Sequence, residues 1–111
     1  MKFTELLKEK ENRYGFRLFA GVPTNSGITM SIQASTTHYS DPREILPPEF
    51  YSRFEVGLLR DGELIGPSKI PQLGEEFEPY FEQGSHPVAG YVPVDIVQNM
   101  FDRLNAPCPM A

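Results

Sequence analysis

The chain has little cysteine, no long apolar run and few basic residues in its second half, and each shortage excludes something. Its one cysteine, Cys108, stands between Pro107 and Pro109, so it can neither close an intrachain disulfide nor complete a spaced metal-ligand set. A reducing compartment fits that usage. No stretch approaches the roughly 18 consecutive apolar residues of a membrane-spanning helix. The opening residues Met1, Lys2, Phe3, Thr4 and Glu5 lack the apolar segment of a signal peptide, so a cytoplasmic protein without a membrane role is expected. From Arg60 onward three basic residues face eight acidic ones, whereas the seven basic and seven acidic residues before that point balance. A protein that grips phosphate backbones needs a basic stripe, so direct nucleic-acid binding is disfavoured. The acidic excess serves solubility, or meets a basic partner.

What remains is ordinary globular material: 111 residues, 40% hydrophobic and 23% charged, enough for one core. Eleven prolines are the exception, and they require many turns and irregular segments. We expect a single globular domain over 1–106 and a flexible, proline-rich tail over 107–111.

The cleanest periodic signal runs from Gly27 to Ala34. Apolar Ile28, Met30, Ile32 and Ala34 alternate with Thr29, Ser31, Gln33 and Ser35, the pattern of a strand with one buried face. Phe54, Val56 and Leu58 repeat the pattern over 52–59, with Arg53, Glu55, Gly57 and Leu59 on the other face. Asp61 and Gly62 then supply the positive φ angles of a type I′ hairpin. A two-residue loop predicts Arg60 opposite Glu63 and Leu59 opposite Leu64. Both leucines fall on the polar face, so an apolar element, a helix, is expected to cover that end. Val88 to Val92 reads as a last strand. Pro93 opens a helix whose stripe is Val97, Met100, Phe101 and Leu104.

Phe3, Leu6 and Leu7 stand at helical spacing and predict an amphipathic helix over 2–11. An extended segment follows over 14–19, then a turn cluster over 21–27. Asp41, Pro42 and Glu44 form a capping-box pattern for one helical turn. Phe77 and Phe81, one turn apart, predict a short helical turn inside the long 66–86 connection. The expected fold is α+β: an antiparallel sheet of three to five strands with an N-terminal and a C-terminal helix packed on it.

Two groups of residues are candidates for function. His38, with Tyr39, Asp41 and Arg43 in the same loop, could supply a base, an orienting carboxylate and an anion clamp. Arg53 and Glu55 share a face with the polar side of the 28–34 strand and extend that surface. Turn chemistry accounts for the same residues without a site. The second group is the acidic, aromatic run Glu75, Glu76, Phe77, Glu78, Tyr80, Phe81 and Glu82. Aromatic rings dominate interface hot spots, and carboxylates steer a basic partner; the rings also suffice to pin the loop to a core. Ser85 and His86 are sequence neighbours in a turn, without a nucleophile-elbow motif, and are not expected to act together. Two histidines in separate segments make no metal site. No catalytic residue, metal or cofactor is assigned.

The residues Gly27 to Ala34, then His38 to Arg43, then Ala89 to Val94 resemble a pattern in small uncharacterised proteins encoded by bacterial phages and prophages. The resemblance covers about half the chain and implies an accessory or host-interaction role, with no residue assignment. The function expected is therefore that of a non-enzymatic interaction or regulatory protein. It would bind an unknown protein partner through the acidic aromatic loop or the sheet face, with a homodimer allowed for. The alternative is a small-molecule or anion binder, conceivably an enzyme, centred on the 38–43 loop.

Overall fold

A computed structural model describes residues 1–14 and 16–106; Cys108 and the expected tail lie outside the described residues. The order of elements begins with a 3-10 turn, Phe3–Leu6, and continues with β1 (Glu9–Arg13), β2 (Phe16–Phe19), β3 (Val22–Pro23) and β4 (Thr29–Gln33). A 3-10 turn at Pro48–Phe50 precedes β5 (Arg53–Arg60) and β6 (Glu63–Leu64). Two further 3-10 turns, Pro67–Lys69 and Glu75–Tyr80, lead to β7 (Val88–Pro93) and the C-terminal helix α1 (Val94–Leu104). Both sheets are antiparallel: β1 and β2 form a hairpin, and a five-stranded sheet runs β3-β4-β5-β6 with β7 also paired to β5.

The α+β class, the five-stranded antiparallel sheet and the C-terminal helix match the sequence expectation. Strand β4 pairs with β5 so that Met30 opposes Leu58, Ile32 opposes Val56 and Gln33 opposes Glu55. One-residue alternation therefore puts every apolar member on one side. The hairpin register is as read, Arg60 opposite Glu63 and Leu59 opposite Leu64, with Asp61 at φ +52° and Gly62 at φ +82°. Helix α1 packs on β5 and β7. Its stripe of Val97, Met100, Phe101 and Leu104 joins Phe54, Val56, Leu58, Ile28, Met30 and Ile32 in a single buried cluster. The predicted turn near Phe77 is present, and Ile70, Leu73, Phe77 and Phe81 carry the long connection into that core.

Three expectations are corrected. The N-terminal helix is only the four-residue 3-10 turn, and Glu9–Arg13 is a strand with every residue exposed. The helical spacing of Phe3, Leu6 and Leu7 extends through a single turn, and beyond Leu7 no apolar residue gives a helix a face to bury. Pairing with β2 satisfies the backbone instead. Asp41 does not cap a helix, because a bridge to Arg53 engages its backbone: its amide donates to Arg53 O at 3.1 Å and its carbonyl accepts from Ser52 N at 2.9 Å. Leu59 and Leu64 are half-buried against each other, with Leu64 folded over Gly57, while α1 lies on the Phe54 face.

Candidate functional site

The loop that leaves β4 crosses toward the middle of β5, and there the sheet is deliberately irregular. Between the pairs Phe54–Val92 and Val56–Ala89 the register shifts, so that Gly90 and Tyr91 together oppose Glu55. This is a β-bulge, a device that re-aims side chains. Tyr91 adopts φ +53°, an uncommon conformation for a residue with a bulky side chain.

The bulge holds Tyr39. The Tyr39 amide donates to Glu55 Oε2 at 2.8 Å, and the Tyr91 amide donates to the Tyr39 carbonyl at 2.8 Å. Glycine at position 90 leaves room, since a Cβ there would lie 3.0 Å from Tyr39 Cβ and 3.2 Å from its ring. The Tyr39 and Tyr91 rings stack with centroids 5.6 Å apart and planes 25° from parallel, yet they stay 50% and 44% exposed. The Arg43 guanidinium sits 5.5 Å from the centre of the Tyr39 ring. Asp41 and Arg53 add a half-exposed ion pair at 3.7 Å. The six sheet-side candidates thus lie on this loop and the facing part of β5: Tyr39, Asp41, Arg43 and Arg53 are exposed, Glu55 is partly buried and His38 is buried.

Replacing Gly90 by alanine is expected to cost about 1–3 kcal/mol, the ordinary effect of an added methyl group in a space that cannot widen. Tyr39 cannot retreat, because its amide and carbonyl are both held. Urea denaturation measures the loss; an unchanged midpoint would show that the Tyr39 backbone yields freely.

His38 points the other way. Its ring is buried, 5.6 Å from the Phe16 ring, and Nδ1 shares a 2.7 Å hydrogen bond with Ser35 Oγ. Burial holds the imidazole below its ordinary pKa; Glu55 opposes that shift and the Arg17 guanidinium adds to it. Serine, histidine and a nearby carboxylate resemble an acyl-transfer triad in composition. Ser35, however, is fully buried and its Oγ accepts from the Thr37 amide, so no carbonyl carbon can approach it.

Behind His38, Arg17 is also buried. It donates through Nη1 to Leu46 O at 2.7 Å and through Nη2 to Ala34 O and the Tyr51 hydroxyl, each at 2.9 Å. Gln33 ties the same strand, accepting from the Phe19 amide at 2.8 Å and donating to its carbonyl at 2.9 Å.

In the acidic loop Phe77 and Phe81 are core residues. Glu76 pairs with Arg103, whose guanidinium also lies 5.1 Å from the Phe77 ring. Glu78 accepts from the Ser68 amide at 2.9 Å, and bonding to Ser68 lowers its pKa. Tyr80, Glu75 and Glu82 face outward. Ser85 and His86 do meet, sharing a 3.0 Å bond between Oγ and Nδ1, on an open groove of about 420 Å³ with Leu59, Glu63 and Leu64. Among the described residues no three histidine, cysteine, aspartate or glutamate side chains are grouped to hold a metal ion, and no helix is long and apolar enough to cross a membrane.

Tyr91, Gly90 and Arg17 escaped the sequence reading. Glycine inside a strand pattern is a bulge signal, and it marked Gly90; nothing local marked Arg17. Comparison of the chain with family models, with curated proteins and with solved structures found no match.

Proposed function

We propose that the chain is a non-enzymatic, cytoplasmic interaction protein that binds a protein partner through the platform formed by Tyr39 and Tyr91. The observation that carries this reading is that two half-exposed tyrosine rings are held in register by a bulge, a positive φ and two hydrogen bonds. Rigid, amphipathic rings of this kind are what interface hot spots are made of, because little side-chain entropy is lost on contact. Arg43, Arg53 and Asp41 form the polar rim. The outward Tyr80, Glu75 and Glu82 are available for a secondary contact. In the acidic loop the other anchors already serve the fold, which favours the sheet side as the principal surface. An accessory role of the kind carried by small phage and prophage proteins agrees with this reading, and a second copy of the chain is one partner it admits.

The small-molecule alternative draws less support. His38 is turned inward and Arg43 lies outward on Tyr39, so the two do not converge on one ligand atom. Open concavities of about 290 Å³ and 370 Å³ are lined by other residues, the first by Phe3, Tyr51 and Val94, the second by Leu6, Val22 and Pro23.

Capture from the native host at neutral pH tests the proposal, with the wild-type chain and the Tyr39→Ala/Tyr91→Ala double variant as baits of matched thermal stability. A partner recovered by the wild type should bind the double variant at least about 30-fold more weakly, the effect of losing about 2 kcal/mol at a hot spot. Equal affinity for both baits would move the contact surface elsewhere, and an empty capture would favour the small-molecule reading.

A further inference from the structure

The sheet face opposite α1 changes character in order along β5. Arg53 opposes Pro93 at one end, and Glu55 comes next, facing the bulge that holds Tyr39 and Tyr91. Gly57 follows, paired with Val88 and overlaid by Leu64, and Leu59 pairs with Leu64 beyond it. Val88, Leu59 and Leu64 are all half-buried, so the tyrosine rings continue into an aliphatic patch. The charges sort the same way. Arg43 on the Tyr39 ring, with Arg53 and its partner Asp41, makes the tyrosine end basic on balance. The concavities beside Leu64 are lined by Glu63 on one side and by Glu78, Glu82 and Lys69 on the other, which makes the leucine end acidic on balance. Arg43, Glu63 and Glu82 are exposed and form no ion pair among the described residues.

We propose that the partner of the tyrosine platform is a second copy of this chain, seated face to face about a twofold axis that lies in the plane between the two sheets and crosses β5 at Gly57. The inference rests on the reading of the platform as the contact surface and names its occupant. Such an axis reverses β5, so position 55 of one copy lies over position 59 of the other, and position 53 over position 61. Tyr39 and Tyr91, which face Glu55, then cover the aliphatic patch of the second copy. Arg43 and Arg53 meet the acidic end, to which the exposed Asp61 of the hairpin turn also belongs. A twofold makes each contact occur twice. A face of one charge sign would repel its own copy, whereas this face matches its copy because the sign changes along β5. Aromatic rings on aliphatic side chains at the centre and opposite charges at the rims are the anatomy of a specific interface. From Arg53 to Asp61 the face runs about 26 Å by strand rise. That leaves room for a contact of about 800 Å² per partner.

Sedimentation velocity of the full chain between about 5 and 300 µM, a range that brackets weak to moderate self-association, tests the proposal. The wild type should pass from monomer to dimer, and the Tyr39→Ala/Tyr91→Ala variant should dimerise about 30-fold more weakly. Arg43→Glu alone and Glu63→Lys/Glu82→Lys alone should each dimerise about ten-fold or more weakly, because the twofold repeats every like-charge contact. An equimolar mixture of these two charge variants should restore the dimer, since both altered ends then meet their complements. A wild type that stays monomeric overturns the proposal, as does a dimer indifferent to the tyrosine change or a mixture that associates no better than its components. Species larger than a dimer overturn the twofold arrangement. If the tyrosine variant fails to fold, the charge variants decide, because their substitutions are at exposed positions. A monomeric wild type whose captured partner still requires the tyrosines overturns the second copy alone. Equal capture by both baits overturns the platform, so the two readings fail separately.

Discussion

Phe54→Ala should lower the free energy of unfolding by about 4 kcal/mol, within the range for deleting a buried phenylalanine ring. Phe54 is fully buried in the central strand and pairs with Val92 across the bulged register. Its ring meets Phe3 edge-on, with centroids 5.3 Å apart and planes at 79°, and Tyr51 at 5.5 Å. One side chain thus joins the N-terminal turn, the 48–51 turn and the sheet. Alanine would leave a void whose walls belong to different segments, and β5 cannot shift to fill it without breaking pairs on both sides. Urea denaturation measures the loss, which is about a third or more of the stability of many small domains. Phe50→Ala is the control: the ring is 64% exposed, so the change should stay within about 0.5 kcal/mol. A loss near 1 kcal/mol at Phe54 would mean that Phe3 and Tyr51 collapse into the space.

The parts of this fold that the sequence disclosed are those governed by a local period or a local torsion. Met30, Ile32, Phe54, Val56 and Leu58 alternate because each strand buries one face, and Asp61 with Gly62 fixes the register because few other dipeptides accept positive φ twice. The N-terminal segment misled for the opposite reason. Phe3, Leu6 and Leu7 satisfy helical spacing, but the choice between helix and strand for Glu9–Arg13 was made by pairing with the next segment, β2, and five polar residues carry no sign of it. Strand pairing overrides propensity in such stretches.

The candidate site divides along the same line. His38, Tyr39, Asp41 and Arg43 were visible as a group because they are contiguous, and Arg53 and Glu55 were added by the inferred pairing of two strands. Their division of labour was not visible. Nothing in the order His38, Tyr39 says that one ring turns into the core and the next is presented to solvent; that depends on Glu55 and on a bulge at Gly90, both far away in the chain. The acidic loop shows the converse. Its composition suggests a surface, whereas Phe77 and Phe81 are drawn into the core and Arg103, from α1, neutralises Glu76.

Arg17→Met is expected to cost about 3 kcal/mol, and two opposed effects decide the sign. Arg17 is buried with no carboxylate within ion-pairing distance among the described residues, and its Nε has no hydrogen-bond partner. Removing it therefore relieves a desolvated charge, and replacing such groups with apolar ones is in some proteins stabilising. Against this, methionine strands the carbonyls of Ala34 and Leu46, each about 1–3 kcal/mol when left without a donor. It also cuts β2 from the 44–51 segment, whose Tyr51 hydroxyl accepts from Leu46 N and donates to Glu44 O. A two-stranded hairpin such as β1 with β2 is marginal without such anchorage. Gln33 would then be the remaining side-chain tie described between β2 and β4. The stranded acceptors and the loosened hairpin outweigh the relieved charge. Arg17→Lys separates the two effects: lysine keeps the charge but cannot span all three acceptors, so it should be destabilising whichever dominates. If hydrogen bonding decides, both variants lose stability in urea, and β2 amides lose exchange protection ahead of the core. If charge burial decides, methionine alone matches or exceeds the wild type, and Arg17 is then held in place at a net cost to stability.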